Sequence, residues 1–158
     1  MMNPSPDTPA SPKDTESVEA VVAALYDTIS GPAGAERDWA RLQNLFHPGA
    51  RLLRTVVAPD GRISISAMDV HAFAQFAAPH FRANAFYERE VIRRVDSFGQ
   101  IAHVFSAYAA FSAPDGTGPL GRGINSIQLW SDGKRWWAMS MLWDDERPGN
   151  PIPPQYLP

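Results

Sequence analysis

Residues 121–143 read GRGINSIQLWSDGKRWWAMSMLW. Arg122 to Trp130 and Arg135 to Trp143 are rich in aromatic and β-branched residues and are interrupted at Asp132-Gly133, a pattern that predicts two strands closed by a tight turn. Alternation puts Asn125, Ile127 and Leu129 on one face of the first strand and Ile124 and Trp130 on the other. In the second it puts Trp137 and Trp143 on one face and Trp136 on the other. Both faces therefore carry large apolar groups and both need covering.

Working outward, Phe86 to Asp96 and Ile101 to Ser112 have the same texture, with turn signals at Ser97-Phe98-Gly99-Gln100 and Pro114-Asp115-Gly116. Four long runs joined mostly by short turns predict one strongly curved sheet in which sequence neighbours pair antiparallel. Upstream, Ala50 to Val57 and Arg62 to Ser66 read as a hairpin turning at Pro59-Asp60-Gly61, whose glycine supplies the positive φ such a turn requires.

Helical spacing fills the rest. Val18, Val21, Val22, Leu25 and Ile29 share a face, with Asp14 or Thr15 available as a cap and Ser30-Gly31-Pro32 as a stop. After a connection GPAGAE, read as flexible, Asp38 caps a second helix over Trp39, Leu42, Leu45 and Phe46 that ends at His47-Pro48-Gly49. Asp69 to Phe81 is a third, through Val70, Phe73, Phe76, Ala77 and Phe81, buried on more than one side and kinked or ended by Pro79. The fold class is α+β: a cone-shaped half-barrel whose curved, mixed or antiparallel sheet and three helices enclose a pocket.

With 158 residues, 44 % of them hydrophobic, the chain has enough material for one core and too little for two ordinary domains. Prolines crowd Pro4 to Pro12 and Pro148 to Pro158, so residues 1–14 are expected to be disordered, 15–147 to form the domain and 148–158 to be an extended tail. A formal charge of −3 with scattered cations argues against nucleic acid. No apolar run approaches the roughly 20 residues of a membrane span, and MMNPSPDTPASPKD lacks the basic start and apolar core of a signal peptide. The cytoplasm is the default expectation. Zero cysteines exclude disulfides and thiolate chemistry. His47, His71, His80 and His103 show no HxH or HExxH spacing, so neither a metal nor a cofactor is expected.

The order helix, helix, hairpin, helix, four long strands, together with WARLQNLFHPGARL and GRGINSIQLWSDGKRWWAMSMLWDDERPGNPIP, resembles the nuclear transport factor 2-like superfamily over about residues 16 to 147. That superfamily includes ketosteroid isomerases, SnoaL-type cyclases and uncharacterised bacterial members. The resemblance implies a largely apolar pocket in which a few polar residues decide the chemistry.

Against the isomerases, Asn125 falls near the position of a protonated aspartic acid that donates to the substrate oxyanion, and its amide can donate there without any pKa shift. Tyr26 falls near their oxyanion-binding tyrosine, although tyrosines on helices often only pack. Arg54 stands near the position of their carboxylate base, which argues against that proton shuttle. His103 alternates with Ile101 and Phe105 and is read as facing apolar surroundings, either as a base or as a core histidine bonded to backbone. Glu88 and Glu90 lie about 7 Å apart on one face, suited to paired-carboxylate work or to ion pairs with Arg89, Arg93 and Arg94. Gly118, Gly121 and Gly123 sit between strands and read as turn formers.

The expected ligand site comprises Tyr26, Arg54, His103, Asn125 and Trp143, with His103 and Asn125 the pair named for catalysis. The expected partner is a small apolar or amphipathic molecule, bound by a homodimer formed through the outer face of the sheet. The alternatives are a cofactor-independent isomerase, dehydratase or cyclase, and a dimeric interaction module.

Overall fold

The computed structural model describes residues 11–158. Four α-helices, α1 (Pro12–Thr15), α2 (Val18–Ile29), α3 (Trp39–Leu45) and α4 (Val70–Ala83), accompany six strands: β1 (Phe46–Val57), β2 (Ile63–Met68), β3 (Tyr87–Phe98), β4 (Ile101–Phe111), β5 (Gly121–Ser131) and β6 (Trp136–Asp145). The strands form one open sheet in the order β2-β1-β6-β5-β4-β3. Every pairing is antiparallel except β1 with β6, which is parallel. The curved sheet with three longer helices on one side is the expected α+β cone. Among the described residues no helix is long and apolar enough to cross a membrane.

The helix-covered, concave face carries the main core. Val21, Val22, Leu42 and Leu45 pack there against Leu52, Val104, Ile127 and Leu129. Helix α2 begins at Val18, not Thr15, because Ser17 adopts extended backbone and its hydroxyl accepts from Ala20 N at 3.0 Å. Pro12 to Thr15 instead form a separate helical turn, and the Asp14 carboxylate takes two bonds from Arg41, at 2.8 and 3.0 Å. Asp38 caps α3 as expected, and Asp69, read as the first residue of the third helix, caps α4.

Five expectations are corrected. Helix α4 runs on past Pro79 to Ala83, and it buries one side only, since Phe76 faces outward beneath the Arg54 guanidinium. The GPAGAE connection is not loose, because its carbonyls wrap the buried Arg37 side chain. A register shift in the β5–β6 pairing, between Gln128 and Leu129, separates the tryptophans read as sharing a face. Trp137 pairs with Trp130 on the outer face, whereas Trp143 pairs with Asn125 on the concave one. Residues 148–158, set apart by the sequence as an extended tail, turn back across the convex face, where Ile152 and Tyr156 are buried with Ala107. Of the amino-terminal segment 1–14, expected to be disordered, residues 1–10 lie outside the described part, whereas 12–14 belong to the ordered turn α1.

Candidate functional site

One cross-strand row organises the concave face. Reading across the sheet in register, Ser66 pairs with Arg54, Arg54 with Trp143, Trp143 with Asn125, Asn125 with Ser106, and Ser106 with Arg93. Three residues expected from the sequence, Arg54, Trp143 and Asn125, therefore stand in one line, and α2 lowers the fourth, Tyr26, onto it. The Asn125 amide donates to the Tyr26 hydroxyl at 3.1 Å.

The network has a definite direction. Tyr26 and Ser106 hydroxyls lie 2.7 Å apart, and Ser106 Oγ donates to Glu90 Oε2 at 2.5 Å. A serine has one proton to give, so Tyr26 donates to Ser106 and accepts from Asn125. Glu90 closes the chain with Arg93, at 2.9 Å. A bulge between Glu90 and Ile92 makes that contact, because Val91 is extra and puts Glu90 and Arg93, three apart, on the same face.

Beside this chain lies a second set of groups. Ser30, at the end of α2, takes the backbone N–H of Glu88 on its hydroxyl at 3.0 Å and donates to Tyr26 O at 2.7 Å, so Glu88 is pinned next to the Tyr26 turn. The Tyr108 hydroxyl donates to Asp145. It reaches there by passing over Gly123, its register partner, where a methyl group would overlap the phenol and approach Asp144 O to 2.5 Å. Gly123 is thus required for close approach, which its reading as a turn former missed.

Burial sets the electrostatics. The Glu88 carboxyl is pushed up to about 8, first by burial and then by the charge of Asp145, with a hydrogen bond from Asn125 opposing. Burial also drives the Tyr26 phenol above its ordinary range, Glu88 adding to the effect, and Tyr108 likewise, there reinforced by its bond to Asp145. At neutral pH the corner therefore holds two neutral phenols, whose protons go to Ser106 and Asp145, and a carboxyl that retains its own proton and can donate it to a carbonyl or hydroxyl oxygen.

His103 is not part of this site. It pairs with Gln128 on the convex face, its Nε2 lying 3.0 Å from Ser126 Oγ, while the concave face of β4 is Ala102, Val104, Ser106 and Tyr108. The expected pair of His103 and Asn125 is divided by the sheet. Arg54 lies over Phe76 at 5.7 Å and Trp143 meets Phe73 edge-on at 6.1 Å, both farther along the row from Tyr26. Glu88, Glu90 and Arg93 were picked out in the sequence; Ser106, Tyr108 and Asp145 were not. Among the described residues no group of His, Asp and Glu is arranged to hold a metal ion.

No family model matches the chain, and no curated protein matches it. Solved structures do. A nuclear transport factor 2-like protein of unknown function from Pseudomonas putida KT2440 superposes with a TM-score of 0.59 at 9 % identity, covering 85 % of this chain and 88 % of that one. Another, from Silicibacter pomeroyi DSS-3, gives 0.54 at 14 %, covering 83 % and 94 %. The S. rosetta CaMKII hub gives 0.59 at 19 %, covering 88 % and 100 %. Likeness at such identities speaks for architecture and leaves the chemistry to the side chains.

Proposed function

We propose that this chain, which has the nuclear transport factor 2-like fold, binds a small amphipathic molecule on its concave face and holds a carbonyl or hydroxyl oxygen of it at the Tyr26, Glu88 and Asn125 corner. The observation that carries this reading is the gathering of two neutral phenols, an amide and a proton-retaining carboxyl beside the apolar core of the concave face. A polar oxygen arriving there meets the Glu88 proton and draws the Tyr26 or Asn125 donor from its internal partner, and the apolar remainder of the ligand packs against the neighbouring apolar side chains.

2-Naphthol is a suitable probe, followed through the backbone amide resonances of β5. The expected result is that Tyr26→Phe and Asn125→Ala each weaken binding about tenfold, the loss of one well-placed hydrogen bond, and that His103→Ala leaves it unchanged. Equal affinity in all three variants would remove the site assignment.

A Glu88 carboxyl that titrates near neutral pH favours a second reading, a cofactor-independent isomerase or lyase. In it, the ionised Glu88 removes a proton from the carbon beside a ligand carbonyl while Tyr26 or Asn125 donates to the developing oxyanion. Deuterium incorporation into 2-cyclohexenone in heavy water, absent in Glu88→Gln, is the expected signature. Glu88-independent incorporation would count against it.

A homodimer belongs to the same proposal. Phe98, Ile101, Trp130 and Trp137 are successive register partners across four strands on the convex face, with Phe98 85 % exposed. A two-fold axis through such a row lets it cover itself. Sedimentation is expected to give dimer at about 50 µM, a concentration at which an ordinary-sized interface holds, and monomer for Ile101→Glu. A monomeric parent would refute the arrangement.

A further inference from the structure

The convex face holds a separate site. After β6 the chain turns at Gly149, whose φ is +83°, with Arg147 and Asn150 bridged. It then crosses the sheet, and Tyr156 packs edge-on against Phe105 at 5.3 Å and beneath the Arg94 guanidinium at 5.6 Å. Between this segment and the sheet lies a cavity of about 410 Å³, floored by Phe105, Ile124 and Leu142 and roofed by Pro151, Ile152 and Pro153. It lies where β1 and β6 part. Arg54 and Trp143 are their last partners, and the next residue along each strand, Thr55 and Asp144, lines the cavity.

We propose that this cavity is a second binding site, distinct from the concave corner, for an uncharged molecule with an apolar ring body and a single hydroxyl, amine or carbonyl. Its volume lies within the range of small-molecule pockets. Its roof is preformed. Pro151 and Pro153 have fixed φ, Ile152 N donates to Glu146 Oε1 at 3.2 Å, and Asn150 Nδ2 donates to Asp145 O at 3.1 Å. Little ordering therefore accompanies binding.

The charges choose the class of ligand. The acidic groups on the wall, Asp144 and Glu146, are each paired: Arg147 holds Asp144 at 2.6 and 3.3 Å, and Arg122 holds both oxygens of Glu146 at 2.7 and 3.0 Å. The two acids and two arginines sum to zero. A ligand ion would lose its hydration against apolar walls and gain no opposite charge, whereas a neutral polar atom has the Ser126 and Thr55 hydroxyls within the lining.

The test uses a matched pair, N-phenyl-1-naphthylamine, which is uncharged, and 8-anilino-1-naphthalenesulfonate, the same skeleton with a sulfonate. The neutral probe is expected to bind the full chain, with intermolecular NOEs to the methyls of Ile124, Leu142 and Ile152, and the sulfonate to bind at least about tenfold more weakly. Leu142→Trp, at a partly exposed floor position, fills the cavity and is expected to abolish neutral-probe binding while the chain stays folded. The proposal fails if the parent does not bind the neutral probe, if the NOEs go to Ile127 and Leu129 on the other face, if the sulfonate binds equally well, or if Leu142→Trp binds like the parent.

Discussion

Arg37→Ala is expected to lower the free energy of unfolding by about 3 kcal/mol, with the urea m-value unchanged. The side chain is 6 % exposed and its guanidinium serves only carbonyls. Nε donates to Ile29 O at 2.9 Å, Nη1 to Pro32 O at 3.2 Å and Ala35 O at 2.8 Å, and Nη2 to Gly31 O at 2.9 Å. Ile29 is the last residue of α2, where helix carbonyls have no partner within the helix and the dipole favours a cation. Phe81 of α4 faces the guanidinium at 4.9 Å, so the same group ties the end of α2 to the next layer. Burial lowers the Arg37 pKa, and the four carbonyls supply the solvation that water no longer does. Alanine leaves those acceptors unsatisfied around a void. A lysine restores the charge but lacks the planar fork, so Arg37→Lys is expected to recover less than half of the loss. An alanine variant within about 0.5 kcal/mol of the parent, the range of an ordinary surface change, would rule out this role.

Arg37 also shows why part of the fold was hidden in the sequence. GPAGAE has the composition of a loose connection, and what orders it is one arginine's donor geometry, which composition does not carry. The turns were plain, since Gly61, Gly99 and Gly133 all take the positive φ that their dipeptides announced. The order of β3 to β6 followed from those short turns. The parallel pairing of β1 with β6 did not, because no local signal joins strands so far apart in the chain.

Strand β4 hid its faces for a different reason. Ile101, Phe105 and Ala107 are as apolar as Ala102, Val104 and Tyr108, because the helices cover one face and the carboxy-terminal segment covers part of the other. With both faces apolar, a period of two cannot say which is inward. His103 was accordingly assigned to the wrong face, whereas Asn125, in line with Ile127 and Leu129 and opposite a row that includes Arg122, Ser126 and Gln128, was not. Ser106 and Asp145 carried no distinguishing signal, since a small hydroxyl in an apolar strand and an acid in an Asp-Asp-Glu run both have ordinary explanations. The bulge at Val91 was equally invisible, and it decides which of Arg93 and Arg94 meets Glu90.

Stability is expected to fall as pH rises from about 5 to 9, and Glu88→Gln to abolish most of that fall. In the folded chain the Glu88 carboxyl titrates at about 8, against 4.5 in its ordinary setting. Below about pH 4.5 the group is protonated both folded and unfolded, and its burial has no electrostatic cost. Between the two values the folded chain keeps a proton that the unfolded chain has released, so the native state binds more protons and each step up in pH favours unfolding. Above about 8 the full cost is in place, on the order of 3 kcal/mol after allowing for the group's partial exposure. The groups facing it are Tyr26 from α2, Tyr108 from β4, Asn125 from β5 and Asp145 from β6. Both phenols are shifted upward by burial and keep their protons throughout this window, and Asn125 does not titrate. Glutamine keeps the shape and removes the ionisation, so Glu88→Gln should match the parent at pH 5 and exceed it by a few kcal/mol at pH 9. Urea unfolding at pH 5, 7 and 9, with a carbon-13 titration of the Glu88 carboxyl, measures both sides of the linkage. Parallel stability curves for the two proteins, or a carboxyl that titrates near 4.5, would show that Glu88 is an ordinary surface acid. The proton-transfer reading would fall with it, because that reading rests on a carboxylate made more basic than an ordinary one, with its pKa brought near the working pH.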